Sequence, residues 1–437
     1  MGRRKVSITA EIFLWDSLVG TAAWDPKSSL GSFQYSDAFI RSGIELAPIH
    51  LPLGKQVYSF PALAIESFSG LPGFLADSLP DKFGHLLIDQ WLASQGRQPD
   101  SFTPIERLCY IGTRGMGALE FRPEQRGGFS GSKQIEVDAL VSLANAAIAQ
   151  KANLNVELGN ANAHEAMNDI IRVGTSAGGA RAKAVIAWNR ATNQVRSGQM
   201  DAPEGFTHWL LKLDGVSGNR DKEVADPLGY GKIEYAYHLM AKEAGIEMME
   251  CRLFEEGGRS HFMTRRFDRG PKGEKYHVQT LCGLAHFDFN QAGAYSYEQA
   301  CQVMRQLQLP YADIEEQYRR VVFNILSRNQ DDHTKNIAFL MNRDGDWRLS
   351  PAYDVAYSYN PDGTWTNRHQ MTLNGKRERF TRDNLEDAAQ TIGIKPKRAS
   401  SIIERTAETL AQWPRFAEDA AVPENWSASI EKAHRKL

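Results

Sequence analysis

Residues 327–354 crowd three carboxylates, an imidazole and an amide into one short stretch: Asp331, Asp332, His333, Asn336 and Asp354. Asp331 and Asn336 lie on a polar segment that runs into an apolar strand pattern at residues 337–341. A turn sequence, Asp344-Gly345-Asp346, then leads to a second strand, Trp347-Arg348-Leu349-Ser350, that returns toward Asp354. Such a hairpin would carry Asp331, Asn336 and Asp354 to one end of a two-stranded ribbon. An aspartate to receive a hydroxyl proton, with an asparagine and a later aspartate as hard oxygen ligands, is the set that magnesium-dependent phosphoryl transfer requires. Asp and Asn also favour solvated turns, so a plain hairpin built on Asx turns competes with this reading.

The totals bound the answer. A chain of 437 residues exceeds the usual single core, so two or three domains are expected. With 42% apolar and 24% charged residues the composition is that of an ordinary globular protein. A net charge of −2 argues against a uniformly basic nucleic-acid-binding surface, though not against a local patch. The four cysteines are scattered with no CxxC pair, which fits buried thiols in a reducing compartment better than disulfides or zinc. No HExxH or His/Cys cluster is present. No apolar run reaches the roughly 20 residues of a membrane span. The basic start Met1-Gly2-Arg3-Arg4-Lys5 leads into an alternating strand pattern with Glu11 and Asp16 rather than a signal-peptide core. The expectation is a cytoplasmic protein with no membrane partner.

Strand patterns come first. Residues 6–15 and 18–24 flank Asp16-Ser17 as a hairpin, and residues 33–35 continue the sheet. Helices are expected from Pro80 through Leu92 and at 105–111. A glycine-rich stretch at 112–121 reads as a turn into a strand, and 124–132 as a linker before an amphipathic helix at 135–149. From residue 296 the pattern turns helical: 297–307, 313–326, 382–392, 399–410 and 430–437. The order predicts an α+β chain, divided as 1–123 (β-rich subdomain), 133–268 (sheet lobe) and 269–437 (helical lobe).

Three upstream features bear on the same chemistry. Ser176-Ala177-Gly178-Gly179-Ala180-Arg181-Ala182-Lys183 precedes a strand at 184–188. A glycine loop there could lay backbone N–H groups on phosphates, and a plain hairpin turn is the alternative. Lys212 sits inside the apolar strand 207–213, where a lysine is costly unless paired, or snorkels from an edge. A helix at 232–245 carries Glu234 near its start. A strand lysine followed by a helix glutamate is the arrangement that holds a kinase lysine against ATP phosphates.

In that order, these parts resemble a protein kinase. The spacing from Asp331 to Asn336 equals that of the kinase catalytic loop. The departures are an absent His-Arg before Asp331, His333 in the place of the usual lysine, and Asp354 in Tyr-Asp-Val without Phe-Gly. Those departures are similar to the HipA family, bacterial serine/threonine kinases that act as toxins of toxin–antitoxin pairs. The blocks that carry the resemblance are Ser176 to Lys183, Leu211-Lys212-Leu213, Arg266-Phe267-Asp268-Arg269, Asn329-Gln330-Asp331-Asp332-His333-Thr334-Lys335-Asn336 and Leu349-Ser350-Pro351-Ala352-Tyr353-Asp354. The resemblance implies a two-lobed protein-kinase-like fold of HipA type that uses ATP and Mg²⁺. It implies Asp331 as base or orienter of the hydroxyl, His333 against the transferring phosphate, and Asn336 and Asp354 as metal ligands. ATP would meet Ser176, Ala177, Gly178, Gly179, Ala180, Lys183, Lys212 with Glu234, and the hinge Arg265 to Phe267. The family commonly has Glu at the position of Arg265, which weakens a side-chain contact to adenine there. Ser176 matches the family's autophosphorylated serine, and Asp332 reads as a neighbour only.

The implied partners are a HipB-like helix-turn-helix antitoxin, with DNA reached only through it, and a protein substrate such as an aminoacyl-tRNA synthetase. Two other readings stand beside this one: a small-molecule kinase on the same fold, and a weakly active partner of a DNA-binding repressor.

Overall fold

The computed structural model describes residues 8–94, 96–98, 101–123, 137, 140–142, 144, 145, 181–199, 202–216, 228–271 and 273–437. They fall into two compact units, 1–219 with 268–286 and 341–346, and 220–267 with 287–340 and 347–437. Within the described residues no helix is long and apolar enough to cross a membrane, and all four cysteines are buried free thiols.

The first unit starts as an antiparallel sheet. β1 (Ile8–Leu14), β2 (Ser17–Asp25), β3 (Leu30–Tyr35) and β4 (Leu119–Arg122) lie in the order β3-β2-β1-β4. Along β1 the alternation of the sequence becomes the alternation of the pleat, with Ala10, Ile12 and Leu14 buried on one face. Trp15 and Asp16 both have positive φ, 48° and 66°, which a two-residue hairpin turn of type I′ requires. The turn therefore sits one residue earlier than Asp16-Ser17.

Helices α1 (Asp37–Ser42), α2 (Ile65–Phe68), α3 (Gly73–Ala76), α4 (Lys82–Ser94) and α5 (Pro104–Ile111) belong to the same unit. A reciprocal capping box of Thr103 and Glu106, with Pro104 at the first position, fixes the start of α5. The glycine-rich stretch after it is a turn into β4, as expected. It is clamped by Asp268, which accepts from the Gly117 amide at 2.7 Å, and by Arg269, which donates to the Gly117 carbonyl at 3.0 Å. Further along, β5 (Lys183–Trp188) pairs antiparallel with both β6 (Val195–Ser197) and β7 (Thr207–Lys212).

The second unit contains α6 (Tyr230–Glu243) and a hairpin of β8 (Cys251–Glu256) and β9 (Arg259–Arg265). Then come α7 (Tyr297–Gln306), α8 (Tyr311–Ser327), the strands β10 (Ala338–Met341) and β11 (Trp347–Leu349), and four helices. These are α9 (Arg382–Ile392), α10 (Pro396–Leu410), α11 (Trp413–Asp419) and α12 (Glu424–Ala433). Tyr237 of α6 meets Phe323 of α8 and Trp413 of α11 edge-to-face, with centroids 6.2 and 5.5 Å away, a geometry that aromatic quadrupoles favour. The helix expected at 430–437 is instead α12. Pro423 opens it early, and His434 leaves it in an extended conformation because the Arg435 amide turns to the Leu326 carbonyl at 2.9 Å.

Two buried histidines, His238 and His277, and two half-buried ones, His286 and His434, are held as neutral rings. Burial lowers His277 and His286 to about 3, and His238 and His434 to about 4. Their folded pKa values lie below the unfolded value of about 6.5, so on acidification the unfolded chain takes up protons that the fold refuses. Stability is therefore full above about pH 6.5 and declines as pH falls toward 4, by about 1.4 kcal/mol per pH unit for each ring. Urea midpoints measured from pH 7 to 5 should fall steadily; a flat profile would contradict the neutral assignments.

Candidate active site

The end of α8 creates the site. Arg328 caps the helix in the left-handed region at φ 61° and throws the chain into a loop. Residues 329–333 follow, then a 3₁₀ turn, Thr334–Asn336, and β10. Tyr237 donates its hydroxyl to the carbonyl of Ser327 at 2.5 Å, so α6 pins the helix end from which the loop departs. Burial raises the Tyr237 phenol well above its ordinary value, so it stays a donor.

Asp331 and Asp332 point into opposite environments. Asp331 keeps a 29% exposed side chain, and its Oδ1 accepts from the Trp365 indole N–H at 2.8 Å. His333 Nε2 lies 3.9 Å from the same oxygen. Among the described residues Oδ2 accepts no hydrogen bond, which leaves one oxygen oriented but unused. The Asn336 amide donates from Nδ2 to the Asp331 carbonyl at 2.7 Å. That bond sets which way the amide faces, and Oδ1 is left as a free acceptor among the described residues.

Asp332, only 3% exposed, is a structural anchor. Its carboxylate accepts from Tyr297 Oη at 2.5 Å, from His369 Nδ1 at 2.8 Å and from the Gln370 amide at 2.7 Å. Arg435 Nη1 reaches the other ring nitrogen of His369 at 2.8 Å. A guanidinium can only donate, so Nε2 is the acceptor and the ring is neutral with its proton on Nδ1. Burial keeps His369 below its ordinary value, in agreement. Burial alone would raise Asp332, but the hydrogen bonds from His369, Tyr297 and Gln370 hold it below the usual carboxylate range.

Asp354 arrives from the other side of the hairpin. Ser350 closes β11 on β10 through its amide and the Ala338 carbonyl at 2.9 Å. Between the strands, Asn342 accepts the amides of Asp344 and Asp346 at 3.0 and 2.9 Å, and Gly345 takes φ 89°. The Tyr353 hydroxyl donates to the Lys335 carbonyl, so the chain just before Asp354 is tied to the chain just before Asn336. Asp354 itself sits at φ 53°, a left-handed conformation that non-glycine residues hold where the surroundings enforce it. Phe267, one of the expected hinge residues, packs on Tyr353 with centroids 5.6 Å apart, and Arg265 ends β9 with its amide on the Glu250 carbonyl at 2.9 Å.

The second unit thus gathers Asp331, His333, Asn336, Asp354, Arg265 and Phe267, together with Glu234, which is buried on α6. Lys183 and Lys212 belong to the first unit, where they stand directly opposite each other across β5 and β7. Both are buried, and Lys183 Nζ lies 3.6 Å from a carboxylate oxygen of Asp81. Facing like charges are unfavourable without anions nearby; Asp81 is one. Ser176, Ala177, Gly178, Gly179 and Ala180 lie outside the described residues. Trp365, His369, Gln370, Tyr353 and Arg435 were absent from the residues expected from sequence. The signal for the first three was a helix-free stretch at 355–381 carrying Trp365 and His369, since long irregular segments inside compact domains tend to be functional.

Residues 175–413, more than half of the chain, match the family described as the HipA-like C-terminal domain, and residues 10–122 match the HipA N-terminal domain. The chain belongs to the HipA family. The HipA of Shewanella oneidensis MR-1, solved in complex with HipB and its operator DNA, has the same fold: TM-score 0.66, 16% identity, over 97% of this chain and 94% of that one. A Haemophilus influenzae protein named "Putative kinase" is 27% identical over 134 residues, and the chain spans 39% of that relative's length. The fold is therefore α+β of HipA type, with a small antiparallel β-rich N-terminal region and a helical C-terminal region.

Proposed function

We propose that this HipA-family chain is a serine/threonine protein kinase that transfers the γ-phosphoryl group of ATP. The observation that carries the reading is the Asp331 carboxylate, oriented at Oδ1 by Trp365 and open at Oδ2, on the loop that also presents the Asn336 carbonyl oxygen. In this reading residues 1–123 form an accessory subdomain, 133–268 the nucleotide-binding lobe and 269–437 the catalytic lobe.

Asp331 Oδ2 receives the proton of the acceptor hydroxyl as that oxygen attacks the γ-phosphorus and the bond from phosphorus to the β-phosphate oxygen breaks, ADP leaving with that electron pair, with His333 beside the transferring group. Lys212 and Lys183, on one face of the β5–β7 pair, meet the ATP phosphates, with Glu234 as the counter-charge of Lys212. The loop Ser176 to Ala180 covers the phosphates, and the backbone at Arg265 to Phe267 receives adenine. Asn336 and Asp354 offer an amide and a carboxylate oxygen, the hard donors that Mg²⁺ prefers, so the donor chemistry fits that ion. Mg²⁺, when bound, supplies charge neutralisation at the β- and γ-phosphates.

Ser176 is the proposed autophosphorylation site. Two charges added to a loop over phosphates would repel ATP and switch the enzyme off. A HipB-like helix-turn-helix antitoxin is the proposed partner, supported by the Shewanella complex. A cytoplasmic translation protein such as an aminoacyl-tRNA synthetase is the proposed target, with growth arrest as the outcome. Incubation with labelled ATP and Mg²⁺ should place phosphate on Ser176 by mass spectrometry, and Ser176→Ala should remove it. No transfer to the chain itself or to any protein acceptor would overturn the reading.

A further inference from the structure

One buried cluster stands behind the loop rather than in it. After α12 the chain runs extended across the back of residues 325–332. Arg328 Nε donates to the Ala433 carbonyl at 2.8 Å, and the Arg435 amide donates to the Leu326 carbonyl at 2.9 Å. The Arg435 guanidinium donates from Nη1 to the Ile325 carbonyl and to His369 Nε2 at 2.5 and 2.8 Å, and from Nη2 to Gln330 Oε1 at 3.3 Å. One planar fork thereby holds the last turn of α8, the residue before Asp331, and the histidine that holds the residue after it.

The other half of the clamp is the segment 365–370. Gln370 donates its amide to Asp332, and its side chain to the carbonyls of Gln330, Trp365 and Arg368 at 3.2, 2.6 and 3.0 Å. Gln330 in turn donates to the Thr366 carbonyl at 3.1 Å. Trp365, which orients Asp331 Oδ1, is thus held at its carbonyl by Gln370, one of the residues that bond Asp332.

We propose that Arg435 and His369 are positioning residues: through Asp332 and Gln330 they set the aim of the Asp331 carboxylate while touching no substrate themselves. The inference rests on the kinase reading for its consequence and on geometry alone for its cause. Bonds on both flanks of Asp331 fix its backbone, and the Trp365 bond fixes its rotamer. Loss of the fork frees the loop by a fraction of an ångström to an ångström, enough to lower turnover by about ten- to a hundred-fold. Nucleotide affinity has no share in these contacts and should hold.

The full chain with Arg435→Ala should show faster hydrogen–deuterium exchange in peptides covering 328–336 and 365–371, beside an unchanged rate in β1 to β3. Its kcat should drop by about ten- to a hundred-fold, with the KM for ATP within about twofold of the parent. Arg435→Lys keeps the charge without the fork and should restore little of either. Should Arg435→Ala fail to fold, His369→Asn serves in its place: its amide can still donate to Asp332 but offers nothing for Arg435 to reach. Exchange in 328–336 at the parent rate, or a change confined to the KM for ATP, overturns the proposal. If the parent chain transfers no phosphate, the kinase reading falls separately and exchange alone decides whether the fork orders the loop.

Discussion

Asp331→Asn lowers phosphoryl transfer by about 10²–10⁴-fold, the range removed with a positioned general base, and leaves stability within about 0.5 kcal/mol of the parent. The reason lies in one hydrogen bond. The Trp365 indole N–H can only donate, and it donates to Asp331 Oδ1 at 2.8 Å. An asparagine keeps that bond by turning its carbonyl oxygen to the indole. Its NH₂ group then occupies the place of Oδ2, the oxygen with no hydrogen bond of its own among the described residues. A hydroxyl approaching that position meets a donor where it needs an acceptor, and its proton has nowhere to go. Initial rates with saturating ATP and a urea melt of the same preparation test both halves. Transfer at more than a tenth of the parental rate would remove Asp331 from its role.

Asp332→Ala has the opposite signature: a loss of about 3–5 kcal/mol, the usual result of removing one partner from a buried charged cluster. The substitution strands the Tyr297 hydroxyl, His369 Nδ1–H and the Gln370 amide without their acceptor. It also leaves Arg435 without the negative charge at the far end of the His369 bridge. Burial already pulls the Arg435 guanidinium down to about 10, so that cation depends on its surroundings. Asp332→Asn costs less, because its oxygen can still accept while its NH₂ faces another donor. The measurement is a shift in urea midpoint at constant slope. A midpoint shift equivalent to less than about 1 kcal/mol would mean that the three donors find water or other acceptors. The expected loss tells the adjacent aspartates apart by two assays: one variant inactive and stable, the other unstable.

The local features were legible because they follow from local chemistry. The 344–346 turn, the short helix α5 and the alternation of β1 each depend on residues within a few positions, and each formed as read. The failures are equally physical. β8 carries Arg252, Glu255 and Glu256, so its strand character was hidden by charge. α11 has Pro414 in its first turn, where proline is harmless although it reads as a breaker. α12 ends at Ala433 because a long-range bond from Arg435 competes with continuing the helix.

By itself the sequence determined the family and the hairpin, and it singled out Asp331, Asn336 and Asp354 as the trio proposed here for catalysis and metal binding. Spacing, turn residues and motif blocks are properties of neighbouring positions. Only the tertiary structure decided that Asp332 is an anchor, that Trp365 orients Asp331, and that Arg435 braces both. Those bonds join residues 34, 66 and 105 positions apart, and no periodicity links such distances. The chain must fold before an indole, an imidazole and a guanidinium can find the loop that they hold.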